Sequence, residues 1–241
     1  MPTDALRPRA AFFDVDNTLI DLKSMFAFQA YYWRQRPPPG RSGDDSYRRF
    51  VDDLLAHPQR DDRQVLNRLF YESFAGRDCE DLSTLCEAWF AELLRERGDT
   101  LWIAPALALA RRLGSEGHWL VAVSGSSEEI LAPLLRHLGF DHCLATRLER
   151  QGGRYTGRIR PPQMIGPGKT QAVRDFIAIH GLDATDCAAC GDHASDAGML
   201  QSVGHAYVVP GDPLLEKLAS LHGWRLLMPA TAHAETMPLH A

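Results

Sequence analysis

The sequence predicts an α/β fold, a doubly wound parallel sheet carrying an inserted unit of four helices, and three observations lead there. Apolar runs at 10–15 (AAFFDV), 119–124 (WLVAVS) and 187–192 (CAACGD) end in acidic or small polar residues, as buried parallel strands do. From residue 98 onward, strand-like and helix-like segments alternate, the pattern of a doubly wound sheet. Between the first strand and that alternation, residues 22–97 show only the three- and four-residue apolar spacing of helices.

Taken in order, the first strand occupies 10–15. Four amphipathic helices follow in LKSMFAFQAYYWRQR, DSYRRFVDDLLAH, DRQVLNRLFYESFAG and CEDLSTLCEAWFAELLRER, with RPPPGRSGDD at 36–45 breaking the first from the second because consecutive prolines cannot continue a helix. A helix at 104–113, a strand at 119–124 and a helix at 126–138 come next. LATRLERQGGRYTGRI reads as a hairpin turning at Gly152 and Gly153. A helix at 168–180, the strand CAACGD, a helix at 194–201, the strand AYVVP and a helix at 213–221 complete the alternation. The expected organisation is an α/β core at 1–21 and 98–228, a helical cap at 22–97 and a flexible tail at 229–241. An insertion leaving strand one emerges at the carboxyl edge of the sheet, where open α/β folds bind ligands, so it is placed to act as a lid.

Composition bounds the function. The chain has 241 residues, 45% hydrophobic and 24% charged, enough to bury a large core. Its 26 basic against 31 acidic residues give a charge of −5, which offers no global reason to expect nucleic acid or an anionic membrane as partner. Five scattered cysteines do not make a disulfide framework, and their odd number suits a reducing compartment. Asp4 precedes the first apolar run, which soon meets Asp14 and Asp16, so no secretory segment is read there. The longest apolar stretch, LWIAPALALA, is too short to span a bilayer. A cytoplasmic protein is expected.

Four places carry chemistry. Asp14 and Asp16 in FFDVDNTL lie two positions apart at a strand end, so both carboxylates can face one crevice; a plain polar turn is the blander reading, weakened by the repulsion of two acids. Ser124, Gly125, Ser126 and Ser127 join a strand to a helix N-terminus, an arrangement that binds anions or simply caps the helix. Lys169 opens a helix after GPG, against the helix dipole, and is either solvated or held there to meet an anion. GPGKT is not a nucleotide-binding loop, since the first glycine of that motif would fall on Gln163. Asp192 and Asp196 in GDHASD follow a third strand end, and with the first pair they suggest a hard cation bound through oxygen, Mg²⁺ above all. Cys187 and Cys190 read as two packed thiols in a strand, His193 as an exposed loop histidine, and Tyr31, Tyr32 and Trp33 as packing within the helical unit.

DVDNT, Ser124 in VSGS, Lys169 in GPGKT and GDHASD, in this order, resemble the four motifs of the haloacid dehalogenase superfamily, and the helical insertion resembles the cap of its phosphoserine phosphatase-like branch. The resemblance spans roughly 10–228. It implies a Rossmann-like core and a phosphomonoesterase acting on a small phosphorylated metabolite. Asp14 is then the nucleophile that forms an aspartyl-phosphate, and Asp16 the acid and base. Thr18, Ser124, Gly125 and Lys169 are expected at the phosphate, and Mg²⁺ on the Asp14 carboxylate, the Asp16 carbonyl and Asp192. Asp196 is expected to orient Lys169 or a metal-bound water. Asp16 favours phosphatase over dehalogenase chemistry, because a departing halide needs no proton. Phosphoserine phosphatases generally place a glutamate nine residues after the nucleophile, where it meets the substrate ammonium; this chain has Lys23 there, which implies selection of an anionic or neutral ester. The alternatives are a phosphoserine phosphatase proper, a phospholigand-binding protein without turnover, and a mutase.

Overall fold

A computed structural model of the chain describes residues 8–228; the expected tail at 229–241 lies outside the described residues. In chain order the elements are β1 Arg9–Phe13, α1 Ser24–Gln35, α2 Gly43–Ala56, α3 Arg63–Glu72, α4 Cys79–Arg97, α5 Ala104–Ser115, β2 His118–Ser127, α6 Glu128–Leu138, β3 His142–Gln151 and β4 Arg154–Arg160. They continue with α7 Pro167–Ile179, β5 Ala188–Gly191, α8 Ala197–Leu200, β6 His205–Val208, α9 Pro213–His222 and β7 Arg225–Leu226. Among the described residues the seven strands form one sheet in the order β4-β3-β2-β1-β5-β6-β7. Every pairing is parallel except β3 with β4, the expected hairpin.

Alternation along β1 sets the two layers. Ala10 and Phe12 enter a cluster with Val173 and Phe176 of α7, Met199 of α8 and Leu215 of α9. Ala11 and Phe13 enter the opposite cluster with Leu109 of α5 and Ile130 of α6, and this one runs on without a break into Phe28, Phe70, Phe74 and Trp89 of the insertion. Cys187 and Cys190, three positions apart, fall on opposite faces, both buried and unbridged as expected.

Residues 24–97 form α1 to α4, started by Asp62 and Asp78, whose side chains accept from the first backbone N–H groups of α3 and α4. Beyond the shared core, backbone bonds fasten this unit to β4: Gly76 N donates to Tyr155 O (2.8 Å), Tyr155 N to Arg77 O (3.0 Å) and Cys79 N to Gly153 O (2.9 Å). Gly157 lets α3 come close, since a Cβ there would lie 3.1 Å from Glu72 O and its φ is +83°. The expected lid is therefore stitched to the sheet.

The structure corrects two sequence readings. The helix expected from 126 starts at Glu128, because β2 continues through Ser127 past a register shift after Ser124. The helix expected at 194–201 is a 3₁₀ turn at Ala194–Asp196 followed by a single α turn. The sheet also gains β7, which at two residues is too short to show periodicity in the sequence.

Candidate active site

Asp14 sits one residue beyond β1, where its backbone N–H donates to Cys190 O (2.9 Å), so the sheet itself fixes the direction in which the carboxylate leaves. Pairing of Phe13 with Ala122 and Cys190 brings the carboxyl ends of β1, β2 and β5 side by side, and with them Asp14, Ser124 and Asp192. Asp14 Oδ1 accepts from Lys169 Nζ (2.6 Å), and the same ammonium donates to Asp196 Oδ1 (2.7 Å). All three residues are buried. Lys169 thus opposes its own helix dipole because two carboxylates hold it. Burial works against the Asp14 charge, but the ammonium beside it outweighs burial and holds the group below its ordinary value. Burial likewise opposes the Lys169 charge, and the two carboxylates reverse that and raise it.

Asp16 faces different partners. Its Oδ1 accepts from Ser24 N (3.1 Å) at the start of α1 and its Oδ2 from Ser126 Oγ (3.0 Å), while Ser24 Oγ and Ser126 Oγ lie 2.7 Å apart. Burial raises Asp16 above the ordinary carboxylate value and the charge of Asp14 adds to this, against the Ser24 hydrogen bonds. Two carboxylates two residues apart are thereby pushed in opposite directions. Ser126, expected in the anion-binding or capping turn, instead holds Asp16, and Ser24 carried no expectation. The signal for Ser126 was its two-residue spacing from Ser124, which puts both on one side of a continuing strand. Neither Ser126 nor Ser127 caps α6 with its side chain.

Thr18, expected at the phosphate, contacts the carboxylates of the site. It is fully buried, and its hydroxyl lies 3.2 Å from Asp14 Oδ2 and 3.1 Å from Asp192 Oδ1, so its one proton ties two carboxylates together. Ser124 accepts from Ser126 N (3.1 Å) and lines the cavity with Gly125. The Gly125 carbonyl is held by Thr146 Oγ1 (2.8 Å), Asn67 Nδ2 (3.0 Å) and Tyr71 Oη (3.3 Å), which fixes the peptide and ties α3 to the turn. His193 is half-buried; its Nδ1 accepts from Ser195 N (3.0 Å) and caps the turn that carries Asp196.

Carboxylate oxygens of Asp14, Asp192 and Asp196 all lie within 4.8 Å of one another. Lys169 donates to Asp14 and Asp196 but makes no hydrogen bond to Asp192. Burial and the Asp14 charge push Asp192 up to about 8, the condition of a carboxylate missing a counterion. An all-oxygen set with excess negative charge fits a hard divalent cation. The Asp16 side chain stays outside this group, engaged by the two serines.

These groups open into a cavity of about 180 Å³ whose far wall is the insertion: Lys23, Met25 and Phe26 of the α1 start, and Arg63, Leu66 and Asn67 of α3. Lys23 is brought to the site as expected; Arg63, forty-nine positions after Asp14 in the chain, was not foreseen, since nothing local in its helix marks it. Asp192 opens instead onto a neighbouring cleft, of which Lys23 and Arg63 also form part.

A model of the family described as haloacid dehalogenase-like hydrolase matches residues 11–201. A probable phosphatase of Mycobacterium tuberculosis is 35% identical over 219 residues, covering 90% of this chain and 74% of that protein. A phosphoserine phosphatase of the same organism is 29% identical over 222 residues, covering 90% and 70%. Among solved structures, a Bordetella pertussis protein of unknown function superposes with a TM-score of 0.77 at 26% identity, covering 92% of this chain and 98% of that one. No helix among the described residues is long and apolar enough to cross a membrane.

Proposed function

This chain belongs to the haloacid dehalogenase-like hydrolase family, as a phosphoric monoester hydrolase, and from that premise we propose that it cleaves a small phosphate monoester through an aspartyl-phosphate formed on Asp14. The carrying observation is the buried chain Asp14–Lys169–Asp196 at the mouth of β1, with the raised Asp16 beside it. Asp14 is held ionised and aimed by the backbone, as a nucleophile must be. An Asp14 oxygen attacks phosphorus as the ester P–O bond breaks, and Asp16 passes its proton to the departing alkoxide. Asp16 then takes a proton from water, whose oxygen attacks phosphorus and releases Asp14 and inorganic phosphate. Lys169, Ser124 and the Gly125 turn face the phosphoryl oxygens and stabilise charge without reorganising, because their own partners fix them.

The Asp14 carboxylate, the Asp16 backbone carbonyl and Asp192 would hold Mg²⁺, whose charge offsets the repulsion between carboxylate and phosphate. Asp196 positions Lys169. The insertion closes the cavity from water on the side opposite the sheet. The test is hydrolysis of p-nitrophenyl phosphate by the wild type and by Asp14→Asn, each with Mg²⁺ and with chelator. Wild-type turnover that needs the metal and vanishes in a folded Asp14→Asn protein is the expected result; full activity of that variant overturns the covalent route.

A further inference from the structure

Resting on that phosphatase reading, we propose that the substrate is a compact ester whose alcohol carries a second anionic group and no ammonium, read by Lys23 and Arg63 together. The cavity divides by charge. Its acids are Asp14 and Asp16, both committed to the chemistry on the sheet side. Its insertion side offers two cations, no acid, and the apolar surface of Met25, Phe26 and Leu66. Lys23 is half-buried at the N-cap of α1, and its ammonium has no hydrogen bond or ion pair among the described residues, although its charge is felt by Asp14, Asp16 and Asp192. Arg63 reaches across from α3 to Ser195 Oγ (2.9 Å) and has no carboxylate partner among the described residues.

Both cations line the inner cavity and the outer cleft, so they stand where a leaving group passes from one to the other. A half-buried ammonium without an anion is an incomplete pair that a carboxylate or phosphate on the alcohol completes. On the insertion side of the inner cavity an ammonium would meet two like charges and no acid; the outer cleft adds Asp21, paired with Arg97, Asp212, which caps α9, and Asp192, which belongs to the carboxylate group at the strand ends. At about 180 Å³ the cavity falls below the usual range for small-molecule sites, which favours a leaving group of a few heavy atoms.

Four esters of matched length separate the contributions: the phosphate of β-hydroxypropionate, carrying a carboxylate; O-phosphoserine, carrying carboxylate and ammonium; O-phosphoethanolamine, carrying ammonium; and n-propyl phosphate, carrying neither. Wild-type kcat/KM is expected to favour the β-hydroxypropionate ester over propyl phosphate by about tenfold, equal to about 1.4 kcal/mol, and to rank both ammonium esters below it. The double variant Lys23→Met with Arg63→Met should bring that ratio to about one, and Lys23→Glu should turn the preference toward O-phosphoethanolamine, which a merely structural lysine would not do. The same preference, read as a ratio of Kd on Asp14→Asn protein by calorimetry, answers the question without turnover. A wild type inert toward all four esters and p-nitrophenyl phosphate overturns the phosphatase reading, while the Kd ratio still decides this one. A ratio near one in the wild type, a ratio unchanged in the double variant, or O-phosphoserine handled as well as its deamino analogue overturns the proposal.

Discussion

On the sheet side of the cavity each charged group has a fixed partner, whereas on the helical side only one of two cations has a partner among the described residues, a single hydroxyl. Asp14 is held by Lys169 and Thr18, Asp16 by Ser24 and Ser126, and Lys169 by Asp196. Across the space, Arg63 holds Ser195 and Lys23 holds nothing among the described residues, with methionine, phenylalanine and leucine between them. A saturated polar array suits an invariant reaction, because dipoles already aligned cost no reorganisation when charge develops. A sparse wall of apolar surface and unpaired charge suits discrimination among leaving groups. On the proposed reading the difference divides the tasks: bond breaking on the strand ends, choice of ester on the insertion.

The largest effect should come from removing the one cation that binds the sheet side together. Lys169→Met leaves Asp14 and Asp196 buried and unpaired, so kcat should fall by about 10³-fold or more as a transition-state contact is lost. Stability to urea should fall by about 3–5 kcal/mol, the cost of breaking a buried pair from one side. A folded Lys169→Met protein with more than a tenth of wild-type kcat would break the comparison, since the array would then be incidental.

Asp16 gives a subtler break within the same half. In Asp16→Asn, alkyl phosphates should lose about 10²–10⁴-fold in kcat, the usual contribution of a positioned acid. p-Nitrophenyl phosphate has a leaving group that needs little protonation, so its first step should survive and the second, which needs the base, should not. Rapid mixing should show a burst of p-nitrophenolate followed by slow turnover. Equal losses on both esters with no burst would assign Asp16 a structural role.

How much of this the sequence revealed follows the same division. Asp14, Asp16, Ser124, Lys169, Asp192 and Asp196 stand in short local patterns at strand ends and helix starts, so spacing alone brought them to one edge. Ser24 and Arg63 carry no local mark, because their roles arise only when helices of the insertion fold back over β1 and β2. The contacts of Thr18 were likewise illegible: the resemblance implies a place at the phosphate, and only the turn at Asn17, with φ 64°, shows its hydroxyl lying between two carboxylates. The helices of the insertion were legible and their attachment was not, since the backbone bonds between 76–79 and β4 and the shared aromatic core leave no trace in periodicity.

A smaller effect should appear where the halves meet. A Cβ on Gly125 would lie 3.2 Å from Ile165 Cγ1 and 3.4 Å from Met164 O, tight enough that the loop opposite must shift. Because the Gly125 carbonyl also anchors Asn67 and Tyr71 of α3, Gly125→Ala should disturb both walls together. We expect kcat/KM to fall by about tenfold, the scale of a misplaced positioning group, with urea stability lowered by about 1–2 kcal/mol, as is common for overpacking. Stability lost with kcat/KM intact would mean that this turn serves the fold and not the phosphate.

The smallest effect concerns α2, which tests whether the whole insertion belongs to the selecting half. α2 rests on α1 and α3, buries only Ser46 and Leu54 among its residues, and lines none of the site cavity. Its start depends on Ser42, whose hydroxyl oxygen accepts from Asp45 N (3.1 Å), one of the first-turn N–H groups that the helix cannot satisfy itself. Ser42→Ala should therefore weaken α2 by about 1 kcal/mol, the usual worth of an N-cap side chain. Amide exchange by mass spectrometry should then rise across 43–56 and stay unchanged in α1 and α4, which share the core with the sheet. Because neither cation nor apolar wall of the cavity comes from α2, kcat/KM for each of the four esters should stay within about twofold, the change expected of a surface substitution worth a few tenths of a kcal/mol at the site. A shift in the ratio between carboxylate and neutral esters would show that α2 transmits to Arg63 through α3, and the selecting half would then extend to the outer edge of the insertion.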